Sequence, residues 1–135
     1  MRKIGLDVGD VRIGVAVSDM LGMIANPYET YIRKSLEEDI EHFNHILKEQ
    51  NADTFVVGLP LNMDGTAGDR VEKTKEYVEN LKKGIDAKFV FQDERLTTVQ
   101  AEKMLISADV RRDKRKKVVD KVASCIILQA YLDKF

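Results

Sequence analysis

Three acidic residues stand where chemistry could be done. Asp7 lies where the apolar stretch Lys3–Val8 runs out, Glu94 belongs to the Asp93-Glu94-Arg95 triplet that follows a strand-like run, and Asp120 lies in the first turn of an apolar helical pattern predicted from about Val118. Carboxylates that share one place raise each other's pKa, so hard cations with oxygen ligands, Mg²⁺ or Mn²⁺, are their natural partners. Metal ions held about 4 Å apart can activate a water and stabilise a leaving oxygen in phosphodiester cleavage. The chemistry indicated is that of a nuclease. Each acid alone also has a plainer role: Asp7 as a turn acid accepting backbone N–H groups, Glu94 as a partner of Arg95, and Asp120 as a favourable charge at a helix start.

A second group is basic. In R-R-D-K-R-K-K, the residues Arg111, Arg112, Lys114, Arg115, Lys116 and Lys117 outweigh Asp113, giving this segment a net +5 in a chain whose net charge is −1. The remainder is therefore −6, and the charge is segregated. Such a run is either a solvated loop between helices or a phosphate clamp, which gives affinity without sequence information. No aromatic residue interrupts it, so base stacking is not indicated. Two other candidates carry less. His42 and His45 fall opposite a helical apolar stripe with no third ligand nearby in sequence, and read as a solvated face. Cys125, the single cysteine, reads as a small buried hydrophobe on a helix.

These residues need elements to position them. Ile4, Leu6 and Val8, then Ile13, Val15 and Val17, alternate about a Gly9-Asp10 turn signal, the period-2 pattern of a hairpin. Gly5 and Gly14 remove side chains from its strands, which suits close approach of another backbone or a ligand. Ile24 to Ile32 reads as a third, edge strand, because Pro27 removes a donor. Ser35 caps a helix, with Glu38 as its capping-box partner and Leu36, Ile40, Phe43 and Leu47 as its stripe. Thr54 to Leu59 is a continuous apolar run, as expected of an inner strand. A turn-rich loop from Pro60 to Gly68 then leads to a helix from Asp69 to Lys83 with the stripe Val71, Thr74, Val78 and Leu81, and Lys88 to Gln92 is the next strand. A strand, helix and strand in that order make parallel neighbours. Thr97 caps a further helix through Ala108. The last helix, from about Val118 to Lys134, buries Val119, Val122, Ala123, Ile126, Ile127 and Ala130.

The fold class expected is α/β: a mixed five-stranded sheet, its first three strands antiparallel and its last two parallel to the first, flanked by helices. With the first strand central, Asp7 and Glu94 open onto the same sheet edge two strand spacings apart, roughly 10 Å. Asp120 completes the cluster from above. A chain of 135 residues has room for one domain and one core, so residues 1–135 are expected to form a single domain. No apolar run approaches the roughly 18 residues of a membrane span, and the N-terminus enters a strand without a signal-peptide core. A cytoplasmic location with no membrane partner is expected.

The blocks G-L-D-V-G-D-V-R-I-G-V-A-V-S-D, V-V-G-L-P-L-N-M-D-G-T, D-E-R-L-T-T-V-Q-A and V-D-K-V-A-S-C-I-I-L-Q-A-Y-L-D, in that order, closely resemble the YqgF-type family of bacterial proteins. These are the pre-16S ribosomal RNA nucleases, also called Holliday junction resolvase-like. The resemblance implies a ribonuclease H-like nuclease domain that matures the 5′ end of 16S ribosomal RNA on ribosomal precursor particles. It places the acidic positions at Asp7, Glu94 and Asp120. Related enzymes commonly use four carboxylates, and three are assigned here. Ser124 and Cys125 stand where small residues such as Ala are frequent, a change of packing and not of chemistry. Three other functions compete: a four-way DNA junction resolvase, which needs a homodimer presenting two sites where an RNA nuclease can be a monomer; a ribosome-assembly factor without turnover; and an actin-type phosphotransferase, which needs a second domain.

Overall fold

In a computed structural model of the chain, residues 1–59, 68–93 and 112–134 are described. Strands β1 (Arg2–Val8), β2 (Arg12–Ser18) and β3 (Ala25–Ile32) form an antiparallel meander. Helix α1 (Leu36–Glu49) leads to strand β4 (Ala52–Leu59), then helix α2 (Asp69–Lys82) leads to strand β5 (Lys88–Asp93), and helix α3 (Arg112–Leu132) closes the described chain. The sheet order is β3-β2-β1-β4-β5, with β4 parallel to β1 and β5 parallel to β4. The mixed α/β sheet expected from the sequence is the one observed, with β1 at its centre.

Local chemistry explains most boundaries. The Ser35 hydroxyl accepts from the Glu38 backbone N–H at 3.2 Å and starts α1, whose first turn carries Glu37, Glu38 and Asp39 at the positive end of the helix dipole. Asn51, at φ 52°, takes the left-handed turn that leads from α1 into β4. On the sheet edge, the register between β2 and β3 slips between Val15 and Ala16, where Pro27 replaces a ladder donor.

The register sorts the side chains by size. Ile4, Leu6 and Val8 of β1 pair with Val17, Val15 and Ile13 of β2, and all six are buried with Phe55 and Val57 of β4 in one cluster against Phe43 and Ile46 of α1 and Val78 and Leu81 of α2. Each such large side chain, taken from water, contributes about 1.5–3 kcal/mol. Alternate residues face α3, and there Gly5 pairs with Ala16 and with Val56; Ala16 and Val56 pack against Ile127, Leu128 and Leu132.

Several expectations are corrected. Leu36 is exposed, whereas Asp39, one residue before the predicted Ile40, is buried: the Tyr31 and Tyr77 hydroxyls donate to its two carboxylate oxygens at 2.7 and 2.8 Å, and the Lys34 backbone N–H donates at 2.9 Å. Tyr77 joins the buried face of α2 for the same reason. His42 is not on a solvated face: it is half-buried, stacks on Tyr31 with ring centroids 4.0 Å apart and pairs with Glu29, while His45 pairs with Glu49. Helix α3 already includes Arg112, well ahead of Val118, because Arg and Lys are good helix formers and the charge run does not stop the helix. Its buried stripe includes Ser124, Leu128 and Leu132 beside the expected Ala123 and Ile127. The loop from Pro60, with its Asn62–Gly65 stretch, and the helix expected from Thr97 to Ala108 lie outside the described residues.

Candidate active site

Asp7 is the sixth residue of β1, half-buried near the carboxyl end of the central strand. Along a strand, residues two apart leave the same face. Asp7 therefore shares its face with Gly5, and across the ladder it meets Gly14, which contributes no side chain. That face belongs to α3. A Cβ on Gly5 would stand 2.7 Å from the Leu128 Cβ and 2.8 Å from the Ser124 carbonyl oxygen, so α3 sits against the bare backbone of β1.

Asp120 lies in the third turn of α3, four residues before Ser124, a rise of about 6 Å along the axis. It does not occupy the first turn, so the helix-start role falls away. Arg112, Lys114, Arg115, Lys116 and Lys117 take the first two turns of α3 instead of a connecting loop. Arg111 and Glu94 lie outside the described residues. The strand that leads to Glu94 is nonetheless placed: Leu6 pairs with Val57 and Gly58 with Gln92, so the row through Asp7 reaches β5 at Gln92, two residues before Glu94. Thus the carboxyl ends of β1, β4 and β5 open side by side, as active-site edges of α/β sheets do. The fold puts Asp7 and the α3 turn carrying Asp120 on one face of the sheet. Among the described residues no three His, Cys, Asp or Glu side chains converge on one point.

Two other chemical candidates are settled by their surroundings. Burial pushes the Cys125 thiol up to about 11, which leaves it protonated and unreactive at neutral pH. Both tyrosines on Asp39 are raised above their usual range, first by burial and then by the hydrogen bond to the carboxylate. Asp39 escaped the sequence reading because an acid in a first helical turn already has a reason to be there; what marks it is Tyr31 on β3 and Tyr77 on α2, residues of other elements.

Comparison with known proteins agrees with this architecture. The sequence model of the RuvX family, described as Holliday junction resolvase, matches residues 1–134. A relative from Halothermothrix orenii is 52% identical over 133 residues, covering 98% of this chain and 95% of its own, and one from Clostridium tetani is 50% identical over 133 residues, covering 98% and 96%. Both carry the name "Putative pre-16S rRNA nuclease". Among solved structures, Fowlpox virus resolvase with Holliday junction DNA superposes with a TM-score of 0.56 at 12% identity, over 99% of this chain and 98% of the viral one. T. thermophilus RuvC in complex with its Holliday junction substrate gives 0.54 at 11% identity, over 99% and 95%. At those identities the likeness is one of fold.

Proposed function

The chain belongs to the RuvX family, and from that premise we propose that it is a metal-dependent nuclease whose substrate is the 5′ end of precursor 16S ribosomal RNA. It acts as a single ribonuclease H-like domain, in the cytoplasm, on ribosomal precursor particles. The observation that carries the reading is Asp7, a half-buried carboxylate at the open end of the central strand, on the face that α3 covers. The names borne by relatives about half identical in sequence support the substrate.

Asp7, Glu94 and Asp120 are the metal ligands in this reading. The donor set is all carboxylate, which fits Mg²⁺ or Mn²⁺ and not a nitrogen- or sulfur-loving metal. Ions held by these carboxylates would supply activation of a water and stabilisation of the leaving oxygen. The chain's own part is to fix the acids on rigid elements. Asp7 is held by the β1–β2 ladder, and α3 lies against the bare backbone of β1 at Ser124 and Leu128, beginning one turn after Asp120.

The basic residues grip the substrate backbone. Arg112, Lys114, Arg115, Lys116 and Lys117 crowd the N-terminal turns of α3, where the helix dipole is already positive. A cation in the first turn of a helix costs about 0.3–1 kcal/mol. A polyanion relieves both that cost and their mutual repulsion, so these residues, with Arg111, are suited to phosphates along an RNA strand.

Purified protein and its Asp7→Asn variant, assayed on precursor 16S RNA and on four-way DNA junctions with and without Mg²⁺ or Mn²⁺, test this. Expected is metal-dependent cleavage of the RNA that falls at least about 100-fold in the variant, the scale lost when a metal site is disturbed. Equal rates for the two proteins would overturn the assignment. The family description favours a second reading, resolution of branched DNA by a homodimer. Paired, symmetric cuts in junction DNA with the RNA left intact would establish that one instead.

A further inference from the structure

We propose that Arg33 is a positioning residue for Asp7, acting through the turn that joins β1 to β2. The inference rests on the nuclease reading for its consequence but on local geometry for its substance. The β1–β4 register runs as far as Leu6, and beyond it Asp7 and Val8 pair with Gly14 and Ile13 of β2. Where Asp7 stands is therefore set by how β2 returns, which is the business of the turn.

That turn has little apolar burial to hold it. Asp10 is exposed, and Val11 is 63% exposed. Polar anchors must do the fixing. The Gly9 N–H donates to the Arg12 carbonyl at 2.9 Å and closes the turn; a Cβ on Gly9 would stand 2.7 Å from that same oxygen, so a side chain there would force it open. Besides the long Arg70–Asp10 ion pair at 4.0 Å between two exposed side chains, two further bonds come from Arg33, just past the end of β3. Its backbone N–H donates to the Val11 carbonyl at 2.8 Å, and its Nη1 donates to the Gly9 carbonyl at 2.8 Å. One residue thus grips both limbs of the turn.

Arg33 is itself held. Its guanidinium lies 4.0 Å from the centroid of the Tyr77 ring, a cation–π contact contributed by α2. The Tyr77 hydroxyl ends on Asp39, and the same carboxylate accepts from the backbone N–H of Lys34, the next residue after Arg33. Asp39, 1% exposed, therefore fixes Arg33 from two directions, through the ring that its side chain stacks on and through the main chain beside it. Neither Arg33 nor Asp39 faces α3, so neither is a catalytic residue. Their effect on chemistry passes through the placement of Asp7, and a shift of about 1 Å at a reacting group is worth about 100-fold in rate.

Three variants test this: Arg33→Met, which keeps the stem and loses the donors; Arg33→Lys, which keeps one donor; and Ile46→Val, a stability control in α1. The readouts are kcat and KM for precursor RNA, the Mn²⁺ concentration giving half-maximal rate, amide exchange at Gly9, and Mn²⁺ broadening of the Asp7 resonances. Arg33→Met is expected to lower kcat about tenfold or more, raise the Mn²⁺ requirement, change KM less than about twofold and speed Gly9 exchange. Arg33→Lys should recover part of each. Wild-type kcat and Gly9 exchange in Arg33→Met, or losses no greater than in Ile46→Val at matched melting temperature, would overturn the inference. Should the wild type cleave nothing, the nuclease reading fails separately, and Asp7 broadening that is the same in Arg33→Met as in the parent would then overturn the role given to Arg33.

Discussion

The two faces of the sheet are built from different side chains for different ends. Toward α1 and α2 point Ile4, Leu6, Val8, Ile13, Val15, Val17, Phe55 and Val57, a layer of large residues with Phe43 and Phe89 set against Phe55 in edge and stacked geometry. Toward α3 the same strands present Gly5, Gly14, Ala16 and Gly58 with Val56. The first face removes apolar area from water and holds the fold. The second leaves room, so that a helix carrying an acid can lie close to a strand carrying another. In the proposed reading the acids lie on the sparse side and most of the apolar burial on the other, with Arg33 as the one link from the crowded side to Asp7, so a change on one side should be felt differently from a change on the other.

The largest stability effect should come from the crowded face. Phe55→Ala is expected to cost about 3–5 kcal/mol in chemical denaturation, while molecules that remain folded keep their cleavage rate. A parallel collapse of the rate per folded molecule would break the division. On the sparse face, Gly5→Ala adds one methyl against Leu128 and the Ser124 carbonyl. A loss of about 1–3 kcal/mol is expected from overpacking, with a fall in rate beyond what unfolding explains, because α3 must move off β1. An unchanged rate in Gly5→Ala would mean that the seating of α3 does not govern the chemistry.

The buried tyrosine pair sharpens the comparison on the α1/α2 side. Tyr31 and Tyr77 have folded-state pKa values raised by burial and by Asp39. Their stabilising contribution is complete below the unfolded tyrosine value near 10 and is lost as pH rises toward the folded values, since the unfolded chain then releases protons that the folded one retains. Thermal melts should show stability falling above about pH 10, less steeply in Tyr77→Phe. A slope identical in parent and variant would mean that Tyr77 is not part of the alkaline transition. The smallest effect should be Ser35→Ala, which removes the α1 cap for about 0.5–2 kcal/mol and leaves cleavage untouched.

Much of this was legible in the residues. Alternation about Gly9-Asp10, the run Thr54–Leu59 and the Ser35 cap are local signals, and local signals place strands and helix starts. The single-spacing rows of β1, β4 and β5 followed from a βαβ order. Asp39 was illegible because its burial depends on Tyr31, eight residues before it, and Tyr77, thirty-eight after. Arg33 was illegible because its partners are a carbonyl in the first turn and a ring on α2. The start of α3 was misplaced because like charges argue for a loop while the helix propensity of Arg and Lys argues otherwise, and here propensity prevailed.

By itself, then, the sequence determined the periodicities, and with them the sheet, its strand order and the three acids worth watching, because hydrophobic period and turn chemistry act over a few residues. Only the tertiary structure decided which carboxylate is buried in a network, which arginine holds the first turn and how nearly α3 rests on β1. Those are meetings of groups on different elements, most of them tens of residues apart, and their distances follow from packing that no short stretch of the chain encodes.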